Sequence, residues 1–456
     1  MTGAPSQAVT ETSRRIRPAR KLAGVVTIPG DKSISHRALM FAGAANGVSR
    51  ILNLAPGVDV ESTQRVLASL GVGFQQDGEA LVVTGVGRAG FRKPEGPLDC
   101  GNSGTTMRLL AGLLAGSPHT FELTGDASLR SRPMKRIADP LRQMGIDVEL
   151  SEEGTAPIKI RGGKFKAIDY ELLIPSAQIK SAVILAALSA TGVTHIHEPV
   201  VSRDHTEIML NYMGAEVRFE QVVVGSDQED PRRRGTRRTD ERNISIVGLS
   251  QWEGAELTVP GDFSTAAYFI AAGLLVRRSD IRMSGIGANS TRTGFLAALS
   301  TMGAKLSWQK RKTVQGESIG DLTVSHANLS ARKISGKLIP RLIDELPLLA
   351  VVASQATGTT IIRDAAELRH KESDRIALTA ENLKRMGAKV GILEDGLVIE
   401  GPTRLSGADI QTEGDHRIAM SFAIAALAAD GETELDDAAC ARISCPGFFD
   451  MLDALR

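Results

Sequence analysis

An internal repeat constrains this chain more than any other feature, because six copies of one unit leave few folds open. The first copy runs from the apolar residues Val25, Val26 and Ile28 through the turn Pro29-Gly30-Asp31-Lys32-Ser33 into a helix of small and apolar residues, Ala38 to Ala44. The same strand, turn and helix return at Leu98 to Gly104, Leu173 to Gln178, Val259 to Ser264, Leu338 to Pro347 and Ile410 to Arg417. Five copies continue to an amphipathic helix that stops at a glycine: Gly71, Gly145, Gly214, Gly303 and Gly387. Glycine just past a helix is the expected C-terminal cap. An alternating strand then closes each unit, at Ala80 to Gly85, Pro157 to Gly162, Asn243 to Gly248, Asp321 to Ser325 and Gly396 to Gly401. The sixth copy reaches its helix, Gly447 to Leu455, with no closing strand after it. Arg14-Arg15-Ile16-Arg17-Pro18 has the length and pattern to supply that strand, so the two termini are expected to meet.

Each unit mixes parallel and antiparallel strands with two helices, which makes the class α/β (α+β) with a β-α-β-α-β-β repeat. Three units around a pseudo-threefold axis, twice over, is the simplest arrangement. The expected domains are residues 24–254, with units one to three, and residues 255–456 together with 12–23, with units four to six.

Composition narrows the function. A net charge of +1 gives no reason to invoke nucleic acid or a membrane surface, and an aromatic content of 4% leaves no stacking platform for single strands. Apolar runs such as Ala182 to Ala190 are too short to span a bilayer. Three cysteines in a chain this long do not make a disulfide framework and fit a reducing cytoplasm. The first twenty residues carry Arg14, Arg15, Arg17 and Arg20 against the single acid Glu11, with no apolar signal core, and read as a leader before the closing strand. The run Gly225 to Arg242, with Arg232-Arg233-Arg234 and Arg237-Arg238 among acids, reads as a solvated hairpin extension of the third unit.

Several motifs fail on context. Gly85-Val86-Gly87-Arg88-Ala89-Gly90 has the dinucleotide spacing, yet Phe91-Arg92-Lys93-Pro94 follows where a helix should start. Gly30-Asp31-Lys32-Ser33 lacks the spacing of a P-loop. His195, His197, Cys440 and Cys445 have no set of partners for zinc, so no metal and no organic cofactor is expected.

The positive signal lies in what matched repeat positions carry. If six units close into two facing halves, helix starts bearing Lys32, Ser33, Asn102, Gly104, Ser176, Gln178, Asp344, His416 and Arg417 converge on one cleft, joined by Arg132, Arg203 and Lys371 to Arg375. Helix N-termini favour anions, and arginine grips phosphate and carboxylate in bidentate fashion. Such a cleft suits small molecules with several negative charges while its carboxylates move protons.

Gly30 to Arg37, Gly101-Asn102-Ser103-Gly104-Thr105-Thr106-Met107-Arg108, Arg132-Pro133-Met134, Lys371-Glu372-Ser373-Asp374-Arg375 and Asp415-His416-Arg417 together resemble the motifs of the 5-enolpyruvylshikimate-3-phosphate (EPSP) synthase family, from residue 14 to the C-terminus. Ser176-Ala177-Gln178, Arg203 to Glu207 and Asn289 to Arg292 resemble its class II branch. The resemblance implies two inside-out α/β barrel domains of the enolpyruvyl transferase fold. It also implies transfer of the enolpyruvyl group of phosphoenolpyruvate to the 5-hydroxyl of shikimate-3-phosphate, with release of phosphate, by a cytoplasmic monomer that glyphosate inhibits. Carried over by motif position, Lys32, Asn102, Gly104, Arg132, Gln178, Arg375, His416 and Arg417 hold phosphoenolpyruvate. Lys32, Ser33, Arg37, Ser176, Ala177, Gln178, Arg203, Asp344 and Lys371 hold shikimate-3-phosphate. Lys32, Asp344 and Glu372 are the catalytic set, with Asp344 ionised to accept the hydroxyl proton and Glu372 protonated to deliver one to the methylene carbon.

Two departures from the family pattern stand out. Ile443 sits where the family often has a lysine three residues before a proline, which leaves Arg442 as the nearest cation, and Ala177 replaces a second serine found in class I. The alternatives are an enolpyruvyl transferase acting on UDP-N-acetylglucosamine, which typically uses a loop cysteine not matched here, and a non-catalytic anion-binding protein. Asp344 and Glu372 argue against the latter, since simple anion capture disfavours carboxylates.

Overall fold

The computed structural model describes residues 12–224, 237–306 and 308–456. The leader before residue 12 and the Arg232 to Arg234 cluster lie outside the described residues. Strands Val217–Val224 and Arg237–Val247 flank that cluster as an antiparallel pair.

Each unit builds its own small sheet. In the second unit Leu98–Asp99 runs parallel to Thr120–Thr124, and Ile158–Arg161 lies antiparallel between Thr120–Thr124 and Asp147–Glu149. The same pattern gives five four-stranded sheets and one of three strands. The class is therefore the expected mixture of α and β. Each sheet stays open, so no barrel of strands closes among the described residues. The helices take the inside. Lys32–Ala44, Gly104–Leu113 and Ala177–Ala187 in the first half, and Phe263–Leu275, Leu346–Ala353 and His416–Leu427 in the second, are apolar or small on nearly every side and buried along most of their length. A helix that is hydrophobic all round has to be buried. Strands such as Val48–Leu52 instead alternate buried and exposed residues, which gives their sheet one wet face.

Capping chemistry sets where these helices begin. The side chains of Asp31, Ser103, Asp262 and Asp415 accept from the backbone N-H of Ile34, Thr106, Thr265 and Arg417. At the other signature, Gly71 at φ +99° and Gly303 at φ +101° adopt the left-handed conformation that ends a helix.

Two hydrophobic cores result. One is built from residues between Ile34 and Val259, the other from Ile16 to Ile28 with Phe263 to Leu455. Arg14–Ile16 pairs antiparallel with Thr433–Leu435, so the N-terminal segment completes the sixth unit and the termini meet. One boundary differs from the sequence reading. Ala23–Val26, taken as the first strand of unit one, pairs with Asp280–Gly287 of unit four, while Glu256–Thr258 pairs with Val48–Leu52 of unit one. The two segments cross where Asp31 N-H donates to the Pro260 carbonyl and Asp262 N-H to the Pro29 carbonyl, both at 2.8 Å. These strands are short and alike in pattern, so their sheet is decided by pairing at long range and not by their own sequence. Among the described residues no helix is long and apolar enough to cross a membrane.

Close approach of the inner helices is testable at Gly112, where a Cβ would sit 2.0 Å from the Ala182 carbonyl oxygen. Gly112→Ala forces two backbones apart and is expected to lower stability by about 2 kcal/mol or more in urea unfolding.

Candidate active site

The starts of the inner helices, all but that of Phe263–Leu275, border one cavity of about 330 Å³ between the two cores. From the first half come Lys32, Ser33 and Arg37, then Gly104, Thr105 and Arg108, then Ala177 and Gln178, with Arg132 and Arg203 from loops. The second half supplies Asp344 from the 3-10 turn Ile343–Glu345, Lys371 and Glu372, Arg375 at the start of the Arg375–Arg385 helix, and His416 with Arg417.

Cations of the first half meet carboxylates of the second across this gap. Arg203 Nη2 donates to Asp344 Oδ2 at 2.7 Å, and Arg132 Nη1 lies 3.5 Å from Glu372 Oε1. Within the second half Arg375 is 2% exposed and donates to Glu372 Oε2 at 2.6 Å and to Asp415 Oδ2 at 2.7 Å. Behind Asp344, the buried Glu345 carboxylate accepts from Arg417 Nη1 at 3.3 Å, Arg292 Nη1 at 2.9 Å and Ser264 Oγ at 2.5 Å. Lys32 Nζ rests 3.0 Å from Asp59 Oδ2.

This charge pattern fixes ionisation. Burial works against charge on Asp344, but Arg203, Arg417, Lys371 and Arg292 outweigh it and hold the carboxyl well below the usual range. Burial likewise opposes ionisation of Glu372, and Arg375, Arg132 and Lys32 overcome it to the same effect. Without substrates both catalytic candidates are thus held as carboxylates. Burial, with Lys32 and Arg417 beside it, pushes His416 well below its ordinary value and leaves a neutral imidazole. Burial, helped by the nearby cations Arg136 and Arg132, lowers Arg108 to about 9.

Of the residues named from sequence, Lys32, Ser33, Arg37, Gly104, Arg132, Ser176, Ala177, Gln178, Arg203, Asp344, Lys371, Glu372, Arg375, His416 and Arg417 line the cavity. Asn102 does not. Its Oδ1 accepts from Arg132 Nη2 at 2.6 Å, so it acts on the site by holding that arginine. Arg442 is exposed and does not line the cavity. Sequence reasoning missed Arg108, Arg136, Asp59, Ser202 and Glu367. Arg108 was within reach, one turn after Gly104 in the same motif; its Nη1 donates to Gln178 Oε1 at 2.8 Å.

Two facing halves of three repeats, with cationic helix starts turned inward, form the fold of an enolpyruvyl transferase. The enolpyruvyl transferase NikO from Streptomyces tendae shares it with a TM-score of 0.77 over 97% of this chain and 96% of its own, at 19% identity. More narrowly, the chain belongs to the EPSP synthase (3-phosphoshikimate 1-carboxyvinyltransferase) family, whose model matches residues 16–452. The 3-phosphoshikimate 1-carboxyvinyltransferase of Gloeobacter violaceus is 48% identical over 97% of this chain and 98% of its own. That of Desulforamulus reducens is 44% identical over 96% and 98%. The EPSP synthase structure from Acinetobacter baumannii superposes with a TM-score of 0.82 at 36% identity, covering 97% of this chain and 98% of that one. The reaction of this transferase is transfer of the enolpyruvyl group from phosphoenolpyruvate to shikimate-3-phosphate, in the shikimate pathway, and an acceptor of the UDP-N-acetylglucosamine kind is not favoured.

Carboxyls held below their ordinary 3.8 and 4.5 stabilise the fold above those values, and that stability drains away as pH falls through the lowered ones. Urea unfolding at about pH 6 and about pH 3 is expected to show a smaller loss for Asp344→Asn/Glu372→Gln than for the parent chain.

Proposed function

We propose that the two halves, residues 30–259 and residues 261–456 with 12–28, close on the two substrates, and that the lining residues divide between them. Lys32, Gly104, Arg132, Arg375, His416 and Arg417 hold the phosphate and carboxylate of phosphoenolpyruvate, with Asn102 steadying Arg132. Ser33, Arg37, Ser176, Ala177, Gln178, Arg203 and Lys371 hold shikimate-3-phosphate, and Gln178 and Lys32 reach both. The support is the density of buried cations in one small cavity, since bidentate arginine contacts suit phosphate and carboxylate oxygens.

Asp344 accepts the proton of the 5-hydroxyl as its oxygen attacks C2 of phosphoenolpyruvate. A proton delivered to the methylene carbon completes a tetrahedral intermediate, and departure of phosphate with loss of a methyl proton restores the enol ether. Glu372 delivers and then recovers that second proton. Arg132 and Arg375 hold Glu372 ionised, and they are also the cations that phosphoenolpyruvate engages. An incoming phosphate therefore withdraws their charge from Glu372, adds its own negative charge beside it, and raises its proton affinity. Lys32 offsets negative charge as the carbon-oxygen bond forms. The observation that carries this reading is Asp344 and Glu372 on one wall of the cavity, each met by an arginine from the other. The enzyme acts as a monomer in the cytoplasm, without metal or organic cofactor.

Phosphate release measured with shikimate-3-phosphate, and with UDP-N-acetylglucosamine in its place, tests the acceptor directly; activity only with the former is expected. Lys32→Met, Asp344→Ala and Glu372→Gln should each lower kcat by about a thousandfold or more while binding survives. Near-normal turnover in any one removes that residue from the mechanism.

Gly104 bears on inhibition. A Cβ there would lie 2.7 Å from Arg108 Nη1 and 3.4 Å from Arg132 Nη1. The parent chain should be inhibited by glyphosate competitively with phosphoenolpyruvate, and Gly104→Ala should weaken both ligands by displacing those guanidinium groups. An inhibition constant unmoved by the substitution would contradict this.

A further inference from the structure

Outside the cavity, the first half buries an ion cluster that the reaction does not use. Lys180, Glu198 and Glu207 are each 0% exposed. Lys180 Nζ lies 3.0 Å from Glu198 Oε1 and 2.8 Å from Glu207 Oε1, and donates to the Ser202 carbonyl at 3.3 Å. Two hydrogen-bond acceptors, Glu198 Oε2 at 3.2 Å and the Ser202 carbonyl, and the Glu207 carboxyl thus surround one ammonium. Two carboxyls beside one cation, with burial raising that of Glu207, is a costly arrangement inside a core, and well-packed apolar residues of similar volume are commonly as stable or more so. Stability alone does not account for it.

The contacts of the cluster lead to the cavity. Glu198 Oε1 accepts from Ser202 N-H at 2.8 Å and from Ser202 Oγ at 2.5 Å. Lys180 and Glu198 between them therefore bind the amide, hydroxyl and carbonyl of the residue just before Arg203, whose guanidinium meets Asp344. A second branch passes through chain neighbours. Ser181 follows Lys180 and Thr206 precedes Glu207, and their hydroxyls are 2.6 Å apart. Arg37 donates Nε to Thr206 Oγ1 at 2.8 Å and Nη2 to Ser181 Oγ at 2.9 Å. One buried ammonium thereby ties together the elements that aim two cationic side chains into the same part of the cavity.

We infer that Lys180, acting through Glu198 and Glu207, is a positioning residue that sets Arg203 and Arg37 for shikimate-3-phosphate; this rests on the assignment of those two arginines to that substrate. Lys180 remains charged in this setting, because Glu207, Glu198 and Asp204 outweigh the burial that opposes its charge. The cluster holds the Ser202 backbone rigidly, so a cation on the next residue reaches the substrate without having to find its place first.

The test is the variant Lys180→Met/Glu198→Gln/Glu207→Gln, which removes all three groups together and leaves Asp31 and Glu317 as the countercharges of buried Arg37. It should raise the KM for shikimate-3-phosphate about tenfold or more, change the KM for phosphoenolpyruvate less than about twofold, and keep or raise the melting temperature. Unchanged KM for shikimate-3-phosphate overturns the inference, and so does an equal rise for both substrates with a lower melting temperature. If the triple variant does not fold, Glu198→Gln alone decides: it keeps an acceptor for the Ser202 amide, weakens the ion pair, and should show the same split at about threefold. Arg203→Lys separates the two levels. If it leaves the KM for shikimate-3-phosphate unmoved, the substrate assignment of Arg203 fails; if it raises that KM and the cluster variants do not, only the positioning role fails.

Discussion

Opposite charge across a single gap is the interaction on which the rest of the molecule depends. Lys32, Arg37, Arg108, Arg132, Arg203, Arg375 and Arg417 crowd one cavity, and cations this close cannot all be withdrawn from water unless countercharge is supplied. Asp344 and Glu372 supply it from the second half, with Asp59, Glu345, Glu367 and Asp415 around them. The same balance makes the cavity receptive. A phosphate or carboxylate takes over arginine donors from a protein carboxylate at little net electrostatic cost, and the freed carboxylate becomes a better base. In the proposed mechanism, binding and proton transfer are linked through this exchange of partners.

The repeat explains how such a site can be built. A unit that starts an apolar helix with a capped turn places its free N-H groups and one or two side chains at the top of a buried column. Such tops from both halves face one another across the cavity, because the inner helices of each half pack together in its core. The exchange of Ala23–Val26 and Glu256–Thr258 between sheets joins the halves by two strands side by side, cross-braced at Asp31 and Asp262. Burial, together with the charge of Asp262, raises the Asp31 carboxyl at this crossing.

Much of this was legible beforehand because it is written in local pattern. Helix starts, glycine stops, the closing strand at Arg14–Ile16 and about half of the cavity lining follow from periodicity, capping residues, matched repeat positions and the family resemblance. What escaped is decided at a distance. Sheet membership of Ala23–Val26 depends on which strand edge is free to receive it. Arg136 sits on a helix among Lys135, Asp139 and Arg142, where its charge reads as one more solvated contact, and only the fold turns it inward toward Glu367. Lys180 looks like an interruption in an apolar helix until Glu198 and Glu207 are brought to it. The ionised state of Glu372 could not be read from the order of residues either, since it depends on Arg132 and Arg375 arriving from different halves.

A crystal structure with shikimate-3-phosphate and phosphoenolpyruvate, or glyphosate in its place, tests the central claim most directly. The account predicts both ligands side by side in the cavity between the halves. Arg203 should have turned from Asp344 to shikimate-3-phosphate, and Arg132 from Glu372 to the second anion. Ligand density confined to one half, or both arginine-carboxylate pairs intact with both ligands bound, would contradict it.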